Sequence, residues 1–391
     1  MKKLLTIIIA LSVLLCVIAC SGTNGDTIKI GCVLSTTGLL GPKGVDRLNA
    51  AKLAVSEINP EGGVSGQQVE LVEADDGTDP DKCLTRVKHM VEKDGVQVLV
   101  GGMSSDAVLA TGQYLMENEV LMVTPSATSV EISGQPWTEW VFRTTPNDAL
   151  QGIILADVIV EKGFSRLATI VLANSYGTGL EQALVDSLEK AGWAGEHVLS
   201  IYYEPDRKDF SAQLQNIKDN NPDVVLAVTY VEDGIMLFGQ ALDMGLDEIA
   251  WLGCDGNYSE HMFKDAKCAE FMEKAIVVGT RSVAPSDSSY REFVNAYTAA
   301  YGEGPSVYCD TTYDAVRLIA EAIEQAGDYN GKAVRDALLD LGQRYRGVSG
   351  IITFNEKGDR ISGIFELWKV EKDDASPSGY RNVEIERISI M

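Results

Sequence analysis

Val96-Gln97-Val98-Leu99-Val100-Gly101-Gly102-Met103-Ser104-Ser105 is the stretch that decides the architecture. A short aliphatic run, too short for a helix, predicts a strand at Val96–Val100. Two glycines end it, and the serines stand directly before Asp106–Glu117, which reads as a helix. Working outward, the same unit repeats. Upstream, Ile28–Leu34 and Val69–Ala74 read as strands. Between them, Leu48, Ala51, Val55 and Ile58 mark one face of a helix that ends near Asn59-Pro60-Glu61-Gly62-Gly63. Asp79-Pro80 opens another, with Leu84, Val87 and Val91 at helical spacing. Downstream, Val120–Val123 is again a strand. Strands that alternate with amphipathic helices imply a parallel sheet with helices on both faces.

The alternation restarts after residue 147. Helices are expected at Asp148–Lys162, Leu180–Ala191, Phe210–Asp219 and Glu232–Met244. The intervening strands are Leu167–Leu172, Val198–Tyr203, Val224–Val228 and Ile249–Leu252. The fold class is therefore α/β, with two doubly wound parallel-sheet lobes. Trp137–Asn147, containing Phe142-Arg143-Thr144-Thr145-Pro146, reads as the first crossover. A third block, Ala275 to Leu341, holds one strand and three helices, too few for a lobe of its own, and is expected to complete the first lobe. Two tail strands, Ile351–Phe354 and Ile364–Val370, are expected to split between the lobes.

The first residues carry a different signal. Lys2 and Lys3 precede an apolar run, Leu4 to Val17, and then Val17-Ile18-Ala19-Cys20. This is the pattern of a secretory leader, residues 1–19, with a lipobox that makes Cys20 the lipidation site. Residues 20–26 then form a tether. The run is short for a bilayer span of ~20 residues. An extracytoplasmic, membrane-anchored lipoprotein is expected. The remaining body suits two domains. The formal charge of −24 disfavours nucleic acid and anionic lipid as partners of that body. Cys32, Cys83, Cys254, Cys268 and Cys309 are left, with Cys254 and Cys268 the best candidate disulfide pair and at least one thiol free. Neither these nor the scattered His89, His197 and His261 form a metal pattern, and the histidines are read as surface residues. No cofactor is expected.

In open α/β sheets ligands bind beyond the carboxyl ends of the strands. Gly101-Gly102-Met103-Ser104-Ser105 offers close backbone approach and helix-start N–H groups to an anion; equally, either serine caps its helix. Thr124-Pro125-Ser126-Ala127-Thr128 follows the next strand with small polar residues. In the second half, Asn174-Ser175-Tyr176-Gly177 places a ring after one strand and Leu252-Gly253-Cys254-Asp255-Gly256 a carboxylate after another. A carboxylate facing hydroxyls and N–H groups suits a zwitterion, with Asp255 on the ammonium. Asp255 is otherwise a helix cap or a turn residue.

From about Thr27 onward the chain resembles the type I periplasmic binding proteins, the branched-chain amino-acid-binding family. The likeness rests on Ile30-Gly31 with Ser35-Thr36-Thr37-Gly38, and on Ala54-Val55-Ser56-Glu57-Ile58-Asn59 leading to Gly62-Gly63-Val64-Ser65-Gly66. Asp75-Asp76, Pro125-Ser126-Ala127-Thr128, Phe142-Arg143-Thr144 and Ser175-Tyr176-Gly177-Thr178-Gly179 continue it, followed by Asp209-Phe210-Ser211, Tyr313-Asp314-Ala315-Val316 and Thr353-Phe354. Each piece is weak, and their order and spacing are specific. The resemblance implies a monomeric two-lobed clamp with a three-strand hinge. Its lobes would be residues 27–143 plus 280–352, and 144–279 plus 353–391. It would deliver an amino acid or similar solute to the permease subunits of an ABC transporter. It also implies that the Ser105 and Thr128 positions hold the ligand carboxylate. The Ser126 carbonyl, the Thr128 hydroxyl and Asp255 would hold the ammonium, and Tyr176 and Tyr230 would face the ligand unless they pack at the domain edge. Two departures stand out. Where aliphatic-amino-acid binders carry an aromatic residue, this chain has Lys43, which with Arg47 would meet an acidic or polar ligand side chain or else be solvated. The family disulfide of the first lobe would fall on Thr78 and Ser104 and is missing.

An enzyme is not supported. Gly38-Leu39-Leu40-Gly41-Pro42-Lys43-Gly44 has the wrong spacing for a dinucleotide fingerprint, and Gly177-Thr178-Gly179 lacks the third glycine. The alternatives that remain are a tethered sensor for a signalling receptor and a binder of a small amide, urea or organic acid.

Overall fold

The computed structural model describes residues 27–390. The expected leader, the Cys20 lipidation site and the tether lie outside the described residues.

The first sheet has strand order β2-β1-β3-β4-β5 and is parallel throughout. Its strands are β1 (Ile28–Leu34), β2 (Val69–Asp75), β3 (Val98–Gly101), β4 (Leu121–Thr124) and β5 (Val141–Arg143). Val98, Leu99 and Val100 are fully buried because helices cover both faces of the sheet. Burial of each such side chain contributes about 1.5–3 kcal/mol. Helix α1 (Gly41–Ile58) lies on one face; α2 (Pro80–Glu92) and α3 (Ser105–Glu117) pack together on the other. Helix α2 starts where the reading placed it, because Asp79 accepts from the N–H groups of Asp81 and Lys82 and Pro80 gives up no needed donor.

The second sheet has order β14-β13-β10-β9-β8-β6-β7. Its parallel part is β6 (Arg166–Leu172), β7 (Glu196–Tyr203), β8 (Val224–Val228), β9 (Ala250–Gly253) and β10 (Ile276–Val283). Helices α4 (Asp148–Glu161) and α5 (Ser175–Lys190) pair, as do α7 (Val231–Asp243) and α8 (Ala266–Ala275), while α6 (Ser211–Asn220) packs on β7. Strands β13 (Gly363–Lys372) and β14 (Tyr380–Ile390) add to the far edge antiparallel.

The structure amends the reading in four places. The expected crossover at 137–147 contains a strand, β5, whose Phe142 is buried against Phe354. In the third block only the helices, α9 (Ser288–Tyr301), α10 (Cys309–Ala326) and α11 (Gly331–Leu341), join the first lobe, with α10 laid along α1. Its strand, β10, belongs to the second sheet, where Trp368 of β13 fills the space that Gly253 and Gly279 leave open. Of the tail strands, β12 (Gly350–Ile352) pairs only with β11 (Tyr345–Gly347) in a small hairpin. Strand β14 was not anticipated; its residues are mostly exposed, so no buried run announces it.

The chain passes between the lobes after β5, after β10 and after β12. At this junction the buried Arg143 pairs with Asp359 and donates to the Ser129 carbonyl at 2.7 Å. Arg360 donates to the Thr144 carbonyl at 2.7 Å and the Ser349 carbonyl at 2.9 Å. Removing one partner of a buried pair costs about 3–5 kcal/mol, so these contacts fix where the crossings run.

Candidate functional site

The strand ends of both sheets face one another across a cleft, and the helices that follow them begin there. Lys43 lies in the first turn of α1, Ser104 and Ser105 at the start of α3, Tyr176 at the start of α5, Tyr230 before α7 and Tyr308 before α10. All line a single small cavity of about 30 Å³, together with Leu40, Arg47, Met103, Ser126, Asp255 and Gly256. Converging helix starts give this space a positive field.

Local sequence sets the geometry. The loop into α1 is tied down by Asp75, which accepts from Thr36 N at 3.0 Å and Thr37 N at 3.1 Å, and by Thr78, whose hydroxyl accepts from Leu40 N at 3.1 Å. Gly44 lets α1 approach β1 closely: a Cβ there would meet the Ser35 carbonyl oxygen at 1.7 Å. That approach brings Lys43 and Arg47 over the cleft.

On the first wall, Arg47 is buried, donates to Ser126 Oγ at 3.0 Å and the Val307 carbonyl at 3.3 Å, and stacks over the Tyr308 ring at 5.0 Å. Ser104 Oγ accepts from Ala107 N at 3.2 Å and caps α3; Ser105 Oγ accepts from Ser129 N at 3.2 Å. Ser104 is therefore a helix cap, and each of these hydroxyls keeps its own proton to donate. Half-buried Lys43 crosses the cleft and reaches the carbonyls of Gly256 at 3.4 Å and Tyr258 at 3.5 Å, both long contacts. Burial, and then Arg47 nearby, push its pKa down to about 8.

On the second wall, Asp255 is the focus. Its Oδ1 accepts from Tyr176 at 2.8 Å and Gln151 at 3.2 Å, and its Oδ2 accepts from Tyr308 at 2.9 Å. All three donors are neutral. Burial, and then the Asp255 charge, hold the Tyr176 and Tyr308 hydroxyls well above their ordinary pKa, so they stay protonated. Tyr176 and Tyr230 stack at 5.6 Å, and Asn174 donates to the Tyr230 hydroxyl at 3.3 Å. Gly256 carries no side chain because a Cβ would meet the Thr229 carbonyl at 2.3 Å.

The walls touch. Tyr308 belongs to the first lobe and Asp255 to the second. At the lip, Asp106 of α3 accepts from Ser175 N at 3.1 Å and Ser175 Oγ at 2.5 Å. This is a closed arrangement.

Of the residues singled out from sequence, Lys43, Arg47, Ser104, Ser105, Ser126, Tyr176, Tyr230 and Asp255 come together in the cavity lining, whereas Ala127 and Thr128 are set back behind it. The Thr128 hydroxyl is buried without a well-formed hydrogen bond. Sequence reasoning missed Tyr308, Gln151, Leu40, Met103 and Gly256. Two smaller expectations fail. Cys254 and Cys268 are both free: the first lies against Tyr176 Oη and the second against Met272 Sδ. His197 is not a plain surface residue, since it is half-buried 3.8 Å from Glu181. Among the described residues no group of side chains is arranged to hold a metal ion.

Comparison with known proteins bears out the likeness read from the motifs. The profile of the family described as "Periplasmic binding protein" matches residues 27–375. The Leu/Ile/Val-binding protein BraC3 of Rhizobium johnstonii is 30% identical over 347 residues, which cover 88% of this chain and 92% of that one. Among solved structures, the branched-chain amino acid transporter substrate binding protein LivJ of Streptococcus pneumoniae, in complex with isoleucine, superposes with a TM-score of 0.79 at 25% identity, covering 93% of this chain and 99% of that one. A solute binding protein of an ABC transporter from Rhodopseudomonas palustris, in complex with 3,4-dihydroxybenzoic acid, shares the fold at a TM-score of 0.77 and 24% identity, covering 94% and 98%.

Proposed function

Because the chain belongs to the periplasmic binding protein family, whose members capture solutes for transport and are not enzymes, we propose that it is an extracytoplasmic receptor for a free amino acid, which it delivers to the permease subunits of an ABC transporter. The observation that carries this reading is the placement of Asp255, hydrogen-bonded only to neutral donors, across the cavity from Arg47 and three serine hydroxyls. A carboxylate facing a cation and hydroxyls matches the two ends of a zwitterion.

In this proposal the clamp has one lobe of residues 27–143 plus 284–352 and another of 144–283 plus 353–391, with β10 whole in the second. It works as a monomer and is held at the membrane by a lipid on Cys20, as the leader pattern supports. Ligand contacts both walls only when the lobes meet, so binding favours the closed state by that differential affinity. The Thr128 hydroxyl, behind the lining, supports the ammonium end once the ligand enters.

A thermal-shift panel on the full-length chain tests the reading. Each amino acid is paired with its deaminated and its decarboxylated analogue. A ligand present at 100 times its dissociation constant stabilises the native state by about 2.7 kcal/mol. We expect only zwitterions to raise the melting temperature. An equal shift with a deaminated acid would remove the ammonium role from Asp255, and with it the amino-acid reading.

A further inference from the structure

Two of the charged side chains that line the cavity are cations, Lys43 and Arg47, and one is an anion, Asp255. Among the described residues neither cation forms an ion pair: Arg47 meets a hydroxyl and a carbonyl, and Lys43 meets two distant carbonyls. The Glu232 carboxylate, across the adjoining hollow from Lys43, lies instead 3.4 Å from His261. Asp148 lies outside this lining, and burial, then the Asp255 charge, push its carboxyl well above the usual range. A buried cation without a counter-ion is costly. A neutral zwitterion would satisfy Asp255 and one cation and leave the other unpaired. The apolar surface of the lining comes from Leu40, Met103 and the rings of Tyr176, Tyr230 and Tyr308.

We propose that the ligand is a dicarboxylic α-amino acid, of the aspartate or glutamate class. Its ammonium faces Asp255, one carboxylate faces Arg47 and the serines of the first wall, and the second carboxylate faces Lys43. This assignment rests on the amino-acid reading above and gives every charge in the cavity an opposite. Lys43 is then the residue that selects for the second carboxylate.

Isothermal titration of the full-length chain with L-glutamate, L-aspartate, L-glutamine, L-asparagine and L-leucine, repeated on Lys43→Met, tests the assignment. The amides are isosteric and differ by one charge. We expect one acid to bind at least ~30-fold tighter than its amide, the scale of a buried charge pair left without its partner. In Lys43→Met that preference should fall to a few-fold, because the acid loses far more affinity than the amide. Preference for leucine, or for an amide over its acid, overturns the dicarboxylate assignment and leaves the amino-acid reading intact. Equal losses for acid and amide in Lys43→Met reduce Lys43 to a structural role and also overturn it. Binding to none of the five overturns the assignment and the amino-acid reading together.

Discussion

The two walls of the cleft are built differently. The first lobe presents helix starts, hydroxyls and two cations on the first two turns of α1. The second presents one carboxylate held by side chains from three separate elements, and two stacked tyrosines. The difference teaches how a clamp divides recognition. Hydroxyls and N–H groups on the first wall are already satisfied by caps and turns, and keep spare capacity. Asp255 gains its Tyr308 donor only from the opposite lobe. The serines and Arg47 of the first wall are thus held within their own lobe, whereas the carboxylate of the second is completed across the cleft.

The largest break in this comparison is Asp255→Ala. Among the described residues it removes the only anion in the cavity lining, and a ligand ammonium would then be buried opposite hydroxyls alone. We expect amino-acid affinity to fall by about 2–5 kcal/mol. The fold should survive, because Tyr176 and Tyr308 line a cavity that admits water and Gln151 keeps its bond to Thr280 Oγ1. Titration calorimetry reads the first effect and circular dichroism on heating the second. Retained affinity would move the ammonium to another group.

Next is Tyr308→Phe, which keeps the ring under Arg47 and deletes the bond across the cleft. A hydrogen bond to a charged group contributes about 1.5–3 kcal/mol. Part of this returns when water solvates Asp255 in the open form, so we expect roughly a tenfold loss of affinity. Small-angle scattering should show a larger share of open molecules at subsaturating ligand. An unchanged dissociation constant would show that this bond contributes nothing to closure, and the contrast between the walls would fail.

The same contrast explains what could be read from the sequence. The first wall was legible because each piece sits within a few residues of a strand end: Gly101-Gly102 before Ser104-Ser105, and Pro125 before Ser126. Asp255 was legible for the same reason. Tyr308 was not, since it arrives just before α10, a helix that follows β10 of the second sheet in sequence yet packs on the first lobe. Its left-handed backbone, φ 69°, is rare for a tyrosine and leaves no trace in residue type. One signal was available: an aromatic residue at a helix start, as in Tyr176 and Tyr230. Gln151 was hidden inside the apolar helix α4, where a lone amide does not announce that it reaches Thr280 and Asp255. The assignment of β10 to the wrong lobe has a related cause. Strand pairing is set by neighbours far away in sequence, and no local pattern near Ile276 names Trp251 or Trp368 as partners.

The smallest effect sharpens the comparison at its edge. Asp106 and Ser175 meet at the lip, outside the cavity, where α3 of one lobe approaches the first turn of α5 of the other. The carboxylate is partly exposed, so its attraction to the helix start and hydroxyl is weakened by water and salt. We expect Asp106→Ala to lower affinity by about 0.5–1 kcal/mol, the range for exposed charged contacts. The bond exists only when the lobes meet, so the loss should lie in faster ligand release with little change in the association rate, as is usual for contacts formed after encounter. Stopped-flow fluorescence separates the two rates, and repeating it at high salt should narrow the gap between variant and parent. A slower association rate with unchanged release would mean that Asp106 guides the ligand inward. The lip would then belong to the first wall's preformed side of the division, and not to the contacts that closure makes.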